Sequence, residues 1–447
     1  MTRARQNNSV QQGADLLTRW VDLQHRLASY WAEIGDAAAQ RFAKRLPPMR
    51  SAIGSICSAR AIYSLWIDCA EEAYARVVHS ERFCRLQAEL VNTFNAMRLA
   101  EVGLSRELLQ PAASASHGWR AAGDADEDCA GCSRRDVVWR KDKVTLYRYE
   151  RITGAAPVRP LLICFALVNR PYVLDLQSDR SFVRRLLSAG LDVYVIDWGY
   201  PDSGDRALGL HDYIEGYLRS CVLHILGEHG IDSLNLIGIC QGGTFSLCYT
   251  ALHPEHIRTL TTIATAVDFQ TPADLLSKWS REVDTDLLNR AGNMPGELMN
   301  AVYLSLAPFR LTQHKYVELL ERSGDAQYLE RFMRMEKWIF DCPDQAAAAL
   351  AQFVKWFYQE NRLARGTLRL GRRRVNLANI VQPVFNIYAI KDHLVPPGAS
   401  IPLQRLIGSP DYTAFASDTG HIGIFVSRRA AQEVPRRIVK WLRMRNS

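Results

Sequence analysis

Several features are scarce in this chain of 447 residues, and each scarcity removes a class of function. The opening MTRARQNNSV leads into a charged, helix-like stretch and not into an apolar core segment, so no secretory signal is expected and the cytoplasm is the expected location. No clean apolar run of membrane-span length occurs either. The most apolar window, Leu234 to Leu252, contains Gln241 and a Gly-Gly turn, and it reads as a buried strand followed by a helix, without a transmembrane segment. Charge is not strongly one-sided: 55 Lys and Arg face 47 Asp and Glu, and the net +8 comes from scattered arginines with short clusters at Arg372 to Arg374 and Arg436 to Arg445. That favours anionic ligands mildly and gives no case for nucleic acid. Regular cysteine spacing is missing as well. The ten cysteines lie mostly inside apolar stretches, as reduced core thiols do, and only Cys129-Ala-Gly-Cys132 has metal-like spacing. With no second pair and no nearby His, it gives little reason to expect a metal or redox centre.

What is present divides into two parts. From Asp15 to about Ala100 the apolar residues recur at helical spacing: Leu16, Trp20, Leu23, Leu27 and Trp31; then Ile62, Leu65, Trp66, Cys69 and Ala73; then Phe83, Leu86, Leu90, Phe94 and Met97. Three helices are predicted in a module over residues 1–110, with the aromatic stripe as its core. Residues 111–135, PAASASHGWRAAGDADEDCAGCSRR, are small, polar and charged and read as a linker. Over 136–447 the pattern changes to VVWRKDKVTLYRY, a pair of strands, and then LLICFALV, LDVYVIDW, LNLIGI, RTLTTIAT and VFNIYAI, separated by helical stretches. Near-continuous apolar strands alternating with helices predict an α/β fold with a mostly parallel sheet covered on both faces. Residues 269–374 break the rhythm with helical, aromatic sequence and are expected to form a cap over the site of an α/β-hydrolase fold.

One residue is missing from its expected place. LNLIGICQGG has the strand, tight glycine turn and following helix of a nucleophile elbow, but Cys240 stands where a serine is usual. A structural cysteine in a strand-helix turn is the plain alternative, and the downstream partners favour the elbow. Asp392 follows the strand VFNIYAIK, and His421 lies 29 residues further on in SDTGHIG, after the last predicted strand, DYTAFAS. Nucleophile, acid and His thus come in the order this fold uses. His393, next to the acid, is the rival base or a supporting group. The oxyanion hole is expected from the backbone N–H of Gln241 and from that of Val168 or Asn169 in ALVNRPY. A thiol gives up its proton far more readily than a hydroxyl. It also exchanges one thioester for another with almost no loss of acyl activation, which argues for acyl transfer from a thioester such as an acyl-CoA.

These segments resemble the polyhydroxyalkanoate synthases, within them the class III catalytic subunit, from about Val137 to Leu442: KVTLYRYER, ALVNRPYVLDLQ, YVIDWGYP, GICQGGTFSLCYTALH, VDFQTP, MPGELMN, RMEKWIFDCPDQ, FNIYAIKDHLVPP and GHIGIFVS. The resemblance implies that Cys240 carries the growing chain, that His421 activates the thiol, and that Asp392 assists attack by the 3-hydroxyl of the next unit. It implies 3-hydroxyacyl-CoA as substrate, short-chain 3-hydroxybutyryl-CoA in the first instance, with coenzyme A as the leaving group and no metal or redox cofactor. The other implied partners are the growing polyester, the surface of its granule, and a second copy of the chain in a dimer. A local departure is Thr419-Gly420 before His421, where the family has a Gly-Gly pair. Residues 63–98 and 18–31 are similar to the accessory subunit that class III synthases require, so the accessory part could be supplied in cis. Two other readings stay open at this point: a cysteine hydrolase acting on an ester or lactone, and a noncatalytic granule-coat protein using its amphipathic helices.

Overall fold

The computed structural model describes residues 2–53, 59–108, 133–152 and 159–445. The linker reading falls mostly outside these residues, and Cys57 and the Cys129/Cys132 pair fall wholly outside them. The described residues form two compact units.

The first unit contains three helices, α1 (Thr2–Ile53), α2 (Ala59–Val78) and α3 (Glu81–Leu108), together with residues 279–292 and 308–316 from much later in the chain. Of the predicted stripes, Leu23, Cys69, Ala73, Phe83, Leu86 and Leu90 are buried, whereas Trp31 is 40% exposed and Ile34, Ile67 and Tyr74, outside those stripes, complete the core. Aromatic pairs tie the helices together: Tyr30 meets Phe83 edge-on at 5.3 Å, and Trp31 stacks on Tyr74 at 5.5 Å. The late segments add to this core. Trp279, 6% exposed, packs its ring 6.1 Å from Phe83 and donates its indole N–H to the Val78 carbonyl, and Phe309 lies edge-on to both Trp31 and Tyr74.

The second unit is built on an eight-stranded sheet. Its strands are β1 (Arg135–Lys141), β2 (Val144–Tyr149), β3 (Leu161–Cys164), β4 (Val193–Asp197), β5 (Leu234–Ile239) and β6 (Ile257–Ile263), then, after the two-residue ribbon β7 (Arg369–Leu370) and β8 (Arg373–Arg374), β9 (Val384–Ala389) and β10 (Tyr412–Ser417). The order across the sheet is β1-β2-β4-β3-β5-β6-β9-β10. The pairs β1·β2 and β2·β4 are antiparallel and the rest of the sheet is parallel.

Alternation along the central strands sends side chains to two cores. Leu162, Tyr194 and Leu236 face α5 (Arg219–His229) and α6 (Gln241–Leu252), whereas Ile163, Val195 and Ile237 face α4 (Phe182–Ser188) and the C-terminal helix Ala430–Arg443. Both faces are therefore dry, as near-continuous apolar strands require. Polar groups inside the sheet are paired: Thr259 donates to the Asn235 amide oxygen at 2.8 Å and Thr262 to that of Asn386 at 2.9 Å. These contacts fix the register of β6 between its neighbours. The architecture is the α/β-hydrolase type, with a helical insertion between β6 and β9 and a helical N-terminal region.

Candidate active site

Cys240 sits between β5 and α6, at the carboxyl end of the central strand, with φ 53° and ψ −124°. A non-glycine residue in this region is strained and persists only where its surroundings hold it. The restraint here is specific. The Cys240 N–H donates to the Ile263 carbonyl of β6 at 2.9 Å, and its own carbonyl accepts from the Gly243 N–H at 3.0 Å. Glycine is required on the far side of the turn by close approach: a Cβ at Gly242 would run into the Cys164 and Phe165 carbonyls, and one at Gly243 would run into the Thr265 side chain. The half-buried thiol is thus presented at the start of a helix.

His421 and Asp392 arrive on the loops that follow β10 and β9. His421 Nδ1 lies 2.6 Å from Asp392 Oδ2, and both residues are buried. Asp392 Oδ1 accepts the backbone N–H groups of Leu394 and Val395 at 2.9 and 2.8 Å, which locks the carboxylate in its loop. The other face of the imidazole hydrogen-bonds to Cys240. Burial by itself depresses a histidine, but here the Asp392 carboxylate and the Cys240 sulfur outweigh it and hold His421 well above its usual value. Cys240, Asp392 and His421 are therefore brought together, with His421 interacting with both of the others. His393 is half-buried on the same loop as Asp392, and the carboxylate's ring partner is His421.

The loop after β3 approaches Cys240 from the other side and is fastened at every step. The Leu167 N–H donates to the Gln241 side-chain oxygen at 3.0 Å, while the Leu167 carbonyl accepts from the Gln345 amide at 3.2 Å. Asn169 adopts φ 60°, its side chain reaches the Trp338 and Ile339 carbonyls, and its backbone N–H is engaged by the Cys342 sulfur. Trp338 returns an indole N–H to the Arg170 carbonyl at 2.7 Å. Asp341 accepts the Tyr172 hydroxyl at 3.0 Å and the Tyr200 hydroxyl at 2.6 Å, and Arg170 pairs with Asp197 at 2.6 Å beneath the Tyr200 ring. Of the candidate donors after β3, Asn169 has its N–H taken, and Val168 lies between two fastened residues.

Sequence reasoning did not single out two buried phenols near the nucleophile. Tyr303 and Tyr358 lie close enough to Cys240 to feel its charge; burial pushes both phenols up, reinforced by Cys240 and Cys342 at Tyr303 and by Asp274, Tyr303 and then Cys240 at Tyr358. Burial likewise pushes the Cys342 thiol up to about 11. The segments MPGELMN and RMEKWIFDCPDQ carried a signal for this region as blocks, without indicating which side chain touches what. The strap formed by Asp341 and Gln345 is equally silent in sequence, since its partners lie about 170 positions away.

Comparison with known proteins identifies the family. The family profile described as alpha/beta hydrolase fold matches residues 159–427, that for the N-terminus of poly-beta-hydroxybutyrate polymerase matches 128–186, and that for a poly(R)-hydroxyalkanoic acid synthase subunit matches 4–112. The poly(3-hydroxyalkanoate) polymerase subunit of Allochromatium vinosum is 50% identical over 345 residues, covering 76% of this chain and 97% of its own. The corresponding subunit of Thiocystis violacea is 48% identical over 77% of this chain and 97% of its own, and that of Synechocystis sp. is 44% identical over 71% and 86%. Relatives this similar over nearly their full length show that the chain is an enzyme of the poly(3-hydroxyalkanoate) polymerase family.

Proposed function

We propose that this chain polymerises 3-hydroxyacyl-CoA, with short-chain 3-hydroxybutyryl-CoA as the leading substrate, carrying the acyl chain as a thioester on Cys240. The observation that carries the reading is His421, which bridges Asp392 at 2.6 Å and the Cys240 thiol at the end of a strained turn. In acylation, the Cys240 proton passes to the free nitrogen of His421 and the sulfur attacks the thioester carbonyl. The tetrahedral oxyanion is received by the backbone N–H groups of Gln241 and Val168. Its collapse breaks the C–S bond to coenzyme A, and the departing thiolate takes the proton from His421. The acyl group has moved from one sulfur to another and keeps its activation.

In elongation, the 3-hydroxyl of the next unit attacks the Cys240 thioester. An ester C–O bond forms, the Cys240 C–S bond breaks, and the hydroxyl proton returns to the Cys240 sulfur by way of His421. The lengthened CoA thioester then acylates Cys240 again. Asp392 has one oxygen bound to two backbone N–H groups and the other to His421, so it assists through the imidazole by neutralising the charge that develops there. The growing polyester and its granule surface in the cytoplasm are the setting, and residues 4–112 supply the accessory part in cis.

The test is turnover by the purified full chain. With 3-hydroxybutyryl-CoA, release of coenzyme A should accompany formation of insoluble polyester, and Cys240→Ala should abolish both. Soluble 3-hydroxybutyrate without polymer would contradict the reading and favour an ester or lactone hydrolase.

A further inference from the structure

A cleft of about 430 Å³ in the second unit is separate from the Cys240 turn but shares its loops. One wall follows the fastened loop after β3 and carries Gln177 and Arg180. A second comes from the insertion, with Arg322, Tyr328, Arg331 and Phe332 and one carboxylate, Glu318. The third is Phe425 and Val426, a few residues beyond His421. Two walls of this cleft are therefore continuous in sequence with the loop after β3 and with the loop that carries His421.

Its charge is incompletely balanced. Arg180 donates to the Val426 carbonyl at 2.9 Å and has exposed Asp179 3.6 Å from its Nε, while Arg322 is shared between Glu318 and Asp325. Arg331 donates to the Gln327 amide oxygen at 3.1 Å and lies near enough to Asp325 to help hold that carboxyl below its usual value. Burial, and then the like charges of Arg331, Arg428 and Arg322, hold the Arg180 guanidinium below its usual range. Gln177 contributes a buried side-chain oxygen that has no hydrogen-bond partner. Converging guanidinium groups suit phosphate oxygens, the aromatic rings offer an apolar platform, and an orphaned amide oxygen suits an N–H donor.

We propose that this cleft holds the phosphate-bearing nucleotide end of the CoA thioester, with Arg180, Arg322 and Arg331 on the phosphates and Tyr328 and Phe332 against the adenine. The pantetheine arm then runs along the shared loops toward Cys240. This assignment rests on the reading of the substrate as a CoA thioester, and it separates binding of the nucleotide from the acyl chemistry. The same chemistry could be satisfied by free phosphate, so the test compares the two sources.

Cys240→Ala protein, which cannot turn over, is titrated calorimetrically with CoA, with 3′,5′-ADP and with inorganic phosphate. CoA and 3′,5′-ADP should bind at one mutually exclusive site with phosphate far weaker. Adding Arg322→Gln and Arg331→Gln should weaken CoA at least ten-fold, with Arg331→Lys intermediate and a thermal melt showing that the fold persists. In otherwise unaltered enzyme, the arginine pair should lower kcat/KM at least ten-fold for 3-hydroxybutyryl-CoA and far less for the N-acetylcysteamine thioester, which has no nucleotide. Unchanged CoA affinity, phosphate binding as tightly as 3′,5′-ADP, or equal losses on both thioesters would overturn the assignment. A chain that binds 3′,5′-ADP through these arginines but makes no polyester would leave the cleft assigned and remove the reaction, and polyester made with arginine-independent CoA binding would do the reverse.

Discussion

At Cys240 the strain and the chemistry coincide: φ 53° aims the sulfur out of the sheet, and the glycines that follow leave room only for backbone. Gly242→Ala drives a methyl group into the Cys164 and Phe165 carbonyls, so it should leave little soluble enzyme, and recovered protein should show kcat reduced well over ten-fold; near-normal expression and turnover would contradict the packing account. Asp392→Asn keeps the shape but removes the charge that supports the His421 imidazolium, and by the logic of a triad it should lower kcat about 10³-fold with little change in KM. Steady-state CoA release measures both. These residues are legible in sequence because each stands at the end of an apolar strand, where local turn signals are strongest. The positions of Tyr303 and Tyr358 near the nucleophile are not legible that way, because they come from an insertion whose path no local pattern fixes.

Among elements, the loop after β3 is held by side chains from a segment about 170 residues later, so its geometry depends on the insertion being folded. Tyr172→Phe with Tyr200→Phe removes both hydroxyls from Asp341. It should lower kcat roughly ten-fold through a displaced oxyanion donor and stability by about 1–3 kcal/mol, read by initial rates and thermal melts. The helix Leu275–Ser280 carries a different liability at its start. Asp274 is 2% exposed, and burial, opposed by the Ser277 N–H and reinforced by Asp268, pushes its carboxyl up to about 7. An unfolded aspartate titrates near 3.9, so between about pH 4 and pH 7 the folded chain holds the extra proton and this group's contribution to stability falls as pH rises. Asp274→Asn should flatten that slope in denaturant titrations from pH 5 to 8, and an unchanged slope would contradict the assignment. The central strands β3, β4 and β5 are buried throughout, and burial on both faces writes them into the sequence as near-continuous apolar runs.

For the whole molecule, the N-terminal helices are not a simple appendage. Residues 279–292 and 308–316 belong to the same compact unit, with Trp279 against Phe83 and the Asn92 amide on the Glu282 carbonyl. Helical periodicity reveals the three helices but not this partnership, because the partners lie some 190 residues apart. Deleting residues 1–110 should therefore uncover Trp279 and Phe309 and lower Tm or cause aggregation, and Trp279→Ala alone should cost about 3–5 kcal/mol. A truncated chain with unaltered Tm would show that the helices are dispensable to the fold. All of this serves one chemical claim, that the growing chain rides on a single sulfur. The most direct test is intact-protein and peptide mass spectrometry after brief exposure to 3-hydroxybutyryl-CoA and acid quench. The account predicts hydroxybutyryl adducts, singly and in oligomers, on the peptide containing Cys240, removable by neutral hydroxylamine and absent from Cys240→Ala; polymer formed without any adduct there, or an adduct on another residue that survives Cys240→Ala, would contradict it.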